Sequence, residues 1–326
     1  MAKAKIRWGR VTGLLVVVAL IAGGVKMLTA ELPPAPPHAR VAPKLDALPQ
    51  QVQVCWLEFS RSDLWGQMGT AGLTRTGKWR NTASGLLVRH PQGDVLIDAG
   101  YSPNVREESK GLPFKERFFT RMALRSHQAE ATVSEALQRA GATVEGLKWF
   151  IPSHMHQDHM GGMVELTRVP VLLPPEELQA IRARESGVVA EHAQAVDGRM
   201  TAMAFEPKPY ETFDESFDVF GDGVVVVTKM PGHTPGSIAT FVNLSPTRRL
   251  VHVGDIVNLT ESIERRLPKS TVVQFFTDRD AEGAAAWVAR LTQLRELAPE
   301  LHFQPAHDRD AWEKFFGGKP GCVSAK

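Results

Sequence analysis

Polar and apolar residues alternate along Gln51-Val52-Gln53-Val54-Cys55-Trp56-Leu57-Glu58-Phe59, which predicts a half-buried first strand. Two further runs, Ser84-Gly85-Leu86-Leu87-Val88-Arg89-His90 and Asp94-Val95-Leu96-Ile97-Asp98-Ala99-Gly100, flank Pro91-Gln92-Gly93 and predict a hairpin. Shorter apolar runs read as buried strands: Leu147-Lys148-Trp149-Phe150-Ile151, Val224-Val225-Val226-Val227, Leu250-Val251-His252-Val253 and Leu301-His302-Phe303. Between them the period lengthens to that of a helix. Residues 132–140 place Val133, Ala136, Leu137 and Ala140 on one face and stop at Gly141. Residues 281–297 carry a stripe of Ala284, Trp287, Val288, Leu291, Leu294 and Leu297. Both stripes are packing faces. Strands interleaved with helices predict an α/β class, and no internal repeat is visible in the residue pattern.

The N-terminus follows another pattern. Lys3, Lys5, Arg7 and Arg10 precede an apolar run over residues 11–25 that continues through Met27, Leu28 and Ala30, broken mainly by Lys26. A basic flank before an apolar segment predicts export, with the flank left on the cytoplasmic side. A lysine near a helix end can snorkel to the interface, so about 20 residues suffice to span. Leu28 stands where a cleavable signal needs a small residue, which favours an uncleaved membrane anchor over residues 1–30. Four prolines within Pro33-Pro34-Ala35-Pro36-Pro37 then predict an extended linker over residues 31–50. Residues 51–326 form the remaining domain. The expected location is the inner membrane, with the domain on the periplasmic side, or secreted if the signal is cleaved.

Composition narrows the picture little. An apolar content of 43% is ample for a core, and a formal net charge of +2 gives no reason to expect nucleic acid. Cys55 and Cys322 are the only cysteines, too few for a cysteine-rich metal site. Pairing them would join the first strand to the tail; two independent thiols is the expectation.

Candidate chemistry is concentrated in Ser153-His154-Met155-His156-Gln157-Asp158-His159-Met160-Gly161-Gly162. Imidazole and carboxylate are good ligands for zinc and its neighbours. In an extended segment His154 and His156 share a face, and a turn into helix would swing Asp158 and His159 to a second point beside it. Three later ligand candidates each sit just past a strand: His233 in Pro231-Gly232-His233-Thr234-Pro235-Gly236, Asp255 after Val253-Gly254, and His307 after Gln304-Pro305-Ala306. Seven ligands suffice for two metals, zinc being favoured although iron, manganese or cobalt use the same donors.

With these residues in place, the stretch from about residue 51 to 316 resembles the metallo-β-lactamase superfamily, four-layer αββα sandwich hydrolases. The resemblance implies that His154, His156 and His233 hold one metal, that Asp158, His159 and His307 hold the other, and that Asp255 bridges them. The bridging aspartate argues against antibiotic hydrolysis. Asp98 then has two readings, a residue at the floor of the site or a turn carboxylate beside Gly100. Within the superfamily the chain is most similar to the N-acyl homoserine lactonase-like group. That group has a tyrosine three residues after the bridging aspartate, where this sequence has Asn258.

The implied activity is dinuclear metal-dependent hydrolysis of an ester-type bond, with a lactone such as an N-acyl homoserine lactone as the expected substrate. Metal coordination can lower the pKa of water from 15.7 to about 7, Asp158 would orient it and carry a proton, and Asn258 would donate a hydrogen bond to the substrate. A glyoxalase II-like thioesterase is the competing enzyme, but its helical C-terminal domain has no room in the 19 residues after His307. An exported metal-binding protein without turnover is the alternative from another class.

Overall fold

The computed structural model describes residues 30–73 and 77–325. The anchor expected over residues 1–30 lies almost wholly outside them. Among the described residues no helix is long and apolar enough to cross a membrane.

The strands are β1 (Gln53–Trp65), β2 (Lys78–Arg89), β3 (Asp94–Ile97), β4 (Gln128–Ala129), β5 (Leu147–Ile151), β6 (Val171–Leu173), β7 (Met200–Ala202), β8 (Phe217–Asp218), β9 (Val225–Lys229), β10 (Ile238–Ser245), β11 (Arg248–His252), β12 (Leu301–Gln304) and β13 (Cys322–Ser324). They form two sheets. One runs β13-β1-β2-β3-β5-β6-β7, with β4 paired to β1, and the other runs β12-β11-β10-β9-β8. The alternation in β1 sets the layering. Val54 and Trp56 face Val225, Val227, Ile238 and Val242 of the second sheet, while Cys55, Leu57 and Phe59 point outward. The outward face is covered by Val133, Ala136 and Leu137 of the helix Val133–Arg139. On the far side, Val226, Phe241 and Val251 pack under Ala284, Val288, Leu291 and Leu294 of the helix Ala281–Leu297. These are the layers of an αββα sandwich, as expected.

Local signals explain the boundaries. The hairpin turns at Gly93, whose N–H donates to the His90 carbonyl at 2.9 Å, and pairs Leu86 with Ile97. Thr132 caps the helix Val133–Arg139 in a capping box with Glu135. Trp312 and Phe316, on the helix Arg309–Phe316, stack beside Trp56 at 5.7 and 6.1 Å and close the gap between the sheets.

Two features differ from expectation. Cys55 and Cys322 are joined in a disulfide instead of being independent thiols. The reason is β13, which adds antiparallel to β1 and places the two residues directly opposite each other. The proline-rich stretch, for its part, is held against the domain. The Leu32 N–H donates to the Arg266 carbonyl at 2.8 Å, Arg266 pairs with Glu31, and Val41 forms a bridge with Glu211. Arg40 pairs with Glu211 at 2.7 Å and also with Glu300.

Candidate metal centre

The ligand candidates come from four chain segments that leave strands at one end of the sandwich. β5 runs into the loop that carries His154 and His156, and the short helix Gln157–Met160 starts with His156 still extended at its N-cap. That turn brings Asp158 and His159 round to a second position. β9 feeds the turn that carries His233, where Gly232 has a φ of +143° and lies against the helix Ala281–Leu297; a Cβ there would sit 2.6 Å from the Ala284 nitrogen. Asp255 follows β11 and His307 follows β12.

Three imidazole nitrogens converge in the first group. His154 Nε2 lies 3.0 Å from His156 Nδ1 and 3.1 Å from His233 Nε2, and His156 Nδ1 lies 3.0 Å from His233 Nε2. The far side of each ring decides what those nitrogens are. His233 Nδ1 donates to Asp278 Oδ1 at 2.7 Å. Ser153 Oγ donates to Asp98 at 2.9 Å, which leaves its lone pair for the His154 Nδ1 proton at 3.1 Å. These tautomers follow from the network. They leave His154 Nε2 and His233 Nε2 as bare lone pairs facing each other, a contact that a cation between them would satisfy.

The second group contains Asp158, His159, Asp255 and His307. His159 gives its Nδ1 proton to Asp98 at 2.8 Å and His307 gives its own to the Thr82 carbonyl at 2.8 Å, so both Nε2 atoms point inward. His159 Nε2 then lies 3.3 Å from Asp255 Oδ1, and His307 Nε2 lies 3.2 Å from Asp255 Oδ2 and 3.4 Å from Asp158. His159 Nε2 and Asp255 Oδ1 are buried with no hydrogen-bond partner. Asp255 Oδ2 is also 3.6 Å from His233 Nε2, so this carboxylate stands between the two groups. The donor set therefore fits two divalent cations, with neutral imidazoles on one side and a mixed carboxylate–imidazole set on the other.

Electrostatics separate the two halves. Burial, reinforced by the neighbouring imidazoles, drives His154 well below its usual range, and burial with His233 takes His156 down to about 3. In the second group burial would also disfavour charge, but the Asp255 and Asp158 carboxylates outweigh it and push His307 up to about 10. His159 is raised for the same reason, with Asp98 as its main carboxylate neighbour. Asp158 and Asp255 are held well below the usual carboxylate range by the same imidazoles, against burial. Without metal, this half balances its carboxylates with protons on histidine.

Several further groups support the site, and apart from Asp98 these carried no signature in the sequence. Asp98 is buried at a φ of +57° and holds both Ser153 and His159, the first of its two readings. Lys269 donates to Asp278 at 2.6 Å, fixing the carboxylate that orients His233. Glu177 accepts from the Met155 N–H at 2.5 Å, the Gly236 N–H at 2.8 Å and the Thr234 hydroxyl at 3.0 Å, which ties together the two loops carrying His154 and His233. Tyr101 is the fourth. Its hydroxyl lies 3.5 Å from Asp158 Oδ2, and burial together with the Asp158 and Asp255 charges pushes it well above its ordinary 10. Asn258 stands in the same wall, and its Nδ2 donates to the Gly69 carbonyl at 2.9 Å.

His156, Asp158, Asp255 and His307 line a cavity of about 460 Å³ whose other walls include Leu64, Leu112, Phe119, Met122 and Phe276. Fold and site together define a metallo-hydrolase scaffold with ligands for two ions. Residues 77–307 match the Metallo-beta-lactamase superfamily, and the chain belongs to that superfamily. It is 24% identical to an N-acyl homoserine lactonase of Bacillus thuringiensis over 68% of this chain and 79% of that protein. It is also 24% identical to the N-acyl homoserine lactonase AttM of Azorhizobium caulinodans, over 71% and 83%. Among solved structures, an N-acyl homoserine lactone hydrolase with N-hexanoyl-L-homoserine at its catalytic metal centre superposes with a TM-score of 0.59. That match has 19% identity and covers 80% of this chain and 95% of the other. AidC, a dizinc quorum-quenching lactonase, superposes with a TM-score of 0.55 at 15% identity, covering 83% and 90%.

Proposed function

We propose that this protein is a dinuclear metal-dependent hydrolase that opens lactones, N-acyl homoserine lactones among them. The observation that carries the reading is Asp255, within 3.2–3.6 Å of His159, His307 and His233, at the floor of an apolar-walled cavity. His154, His156 and His233 would hold one zinc, and Asp158, His159 and His307 the other, with Asp255 shared. Bound there, two such ions supply Lewis acidity and an activated water at neutral pH.

The chain's own groups do the rest. Asp158 stays ionised beside His307, so its carboxylate can take a proton from the attacking water and pass it to the departing oxygen. Tyr101, its hydroxyl kept protonated, donates a hydrogen bond where charge develops on the substrate, in the place of the tyrosine that Asn258 replaces. The apolar walls suit an acyl chain. Curated relatives named as lactonases support this substrate class, at an identity that leaves acyl length open.

The domain is proposed to be exported and held by an N-terminal anchor. The basic flank and apolar run support this, as does a disulfide, which persists in oxidising compartments. Protease added to spheroplasts should then remove the domain, and detergent should be needed to extract the chain. The activity is tested by offering lactones, thioesters, phosphodiesters and β-lactams to metal-loaded protein. Lactone opening with at least tenfold preference over the other classes is expected. Intact lactones beside cleaved thioesters would replace this reading with a glyoxalase II-like one.

A further inference from the structure

The large apolar side chains left exposed are not scattered. Of the seven among the described residues, five lie around the cavity mouth: Trp65, Phe114, Phe118, Val272 and Phe275. Phe114 is 76% exposed, Phe275 65% and Trp65 60%. Phe114 and Phe118 lie on the helix Phe114–Ala123, and Val272 and Phe275 on the helix Thr271–Thr277. The two helices meet through aromatic rings. Phe118 and Phe119 stack on Phe276 at 5.9 and 5.5 Å, and Phe275 packs edge-on to Phe276 at 5.2 Å. The cavity wall, which includes Phe119 and Phe276, therefore continues outward into an aromatic rim.

That rim is bordered by positive charge. Lys115 Nζ lies 4.6 Å from the Phe275 ring centre, and Arg117, Arg121 and Arg125 follow along the same segment, with Glu116 the sole acid between Phe114 and Arg125. Aromatic side chains beside lysine and arginine are the composition of helices that lie in the interface of an anionic bilayer. The anchor proposed above would bring a membrane to this end. Ala30, the first described residue, packs its carbonyl against Gly72, and the Ala71 N–H donates to the Pro268 carbonyl at 2.9 Å, three residues before the helix Thr271–Thr277.

We propose that this rim docks on the surface of an anionic lipid bilayer, so that the cavity opens onto the membrane and an apolar substrate enters from it. Part of the case rests on the anchor proposed above, and the test separates the two. Full-length protein with its disulfide intact is placed in nanodiscs of phosphatidylcholine and phosphatidylglycerol. An environment-sensitive fluorophore is attached through Phe118→Cys or Phe275→Cys, and through Val41→Cys or Leu297→Cys, exposed apolar positions outside the rim. Nitroxide-bearing lipid should quench the rim labels several-fold more than the other two. Lys115→Glu with Arg121→Glu should reduce that difference, as should discs of phosphatidylcholine alone.

Rim labels quenched no more than those at Val41 and Leu297, on a chain that co-elutes with the discs, would overturn docking and leave the anchor intact. Rim labels that respond to one another between copies but not to nitroxide lipid would assign the rim to a second copy and overturn docking too. A chain that does not co-elute overturns the anchor. The same labels, read against added vesicles of the same lipids, then decide docking: selective quenching upholds it and none ends it.

Discussion

Tyr101 Oη stands 3.5 Å from Asp158 Oδ2, while Asn258, which lines the same cavity, gives an amide hydrogen to the Gly69 carbonyl at 2.9 Å. The long hydroxyl contact and the closely held amide divide the work. Tyr101→Phe is expected to lower kcat for lactone opening by about 10²-fold, the usual cost of one donor to a developing oxyanion, with KM changed far less. Asn258→Ala removes the donor to a buried carbonyl and should cost about 1–3 kcal/mol of stability, with a smaller effect on kcat than Tyr101→Phe. Steady-state kinetics and thermal unfolding of both variants decide the matter. Equal losses of kcat would return the donor's role to Asn258.

Metal content gives the next prediction. Elemental analysis of purified protein should approach two ions per chain, and Asp255→Ala should lose metal and activity together. A fully active chain with one ion would sink the dinuclear reading. The pH dependence follows from the second group. Metal-free, His307 keeps its proton up to about 10 and His159 is raised as well, so metal must displace protons there. Apparent affinity should therefore rise with pH between about 6 and 9, and proton release should be measurable in weak buffer. The stability of the metal-free fold runs the other way. Raised histidines contribute fully below their unfolded value near 6.5 and lose the contribution as pH climbs through their folded values.

Legibility followed sequence distance. His154, His156, Asp158 and His159 lie within six residues, so their spacing alone says that they converge. His233, Asp255 and His307 were readable because each ends an apolar run, and strand ends gather at one edge of the sandwich. The strand Leu147–Ile151 and the helix Ala281–Leu297 fall where the pattern put them. Tyr101, Glu177, Lys269 and Asp278 were not readable, since each reaches the site through tertiary packing and none has a periodic or motif partner nearby. The same holds for Cys55 and Cys322, 267 residues apart, which meet only because β13 returns to β1.

Asp278 supplies a test of how far the support matters. It accepts the Nδ1 proton of His233 and is itself held by Lys269, which brings it down to about 2 against the cost of burial. Asp278→Asn keeps the shape but removes the charge that favours this tautomer and strengthens the ring as a donor to metal. Partners of this kind typically govern 10–100-fold in metal affinity. Competition with a chelator should show a loss in that range for one of the two ions, with the fold unchanged by circular dichroism. Unaltered affinity at both sites would mean that packing alone orients His233.

The disulfide makes the last prediction. Cys322 pairs with Cys55 across the edge of the first sheet, and the covalent link closes nearly the whole domain into one loop. Removing a native disulfide typically costs 2–5 kcal/mol, chiefly through the freedom regained by the unfolded chain. Cys322→Ser should lower the unfolding temperature accordingly, and reductant should do the same to the wild type but not to the variant. Because β13 is only three residues long, the segment beyond Gly321 should then exchange its amide hydrogens rapidly. The metal ligands lie on β5, β9, β11 and β12 ends, away from this edge, so metal content and kcat at 25 °C should be retained. Loss of metal together with the disulfide would show that β13 supports the site itself rather than the stability of the sheet.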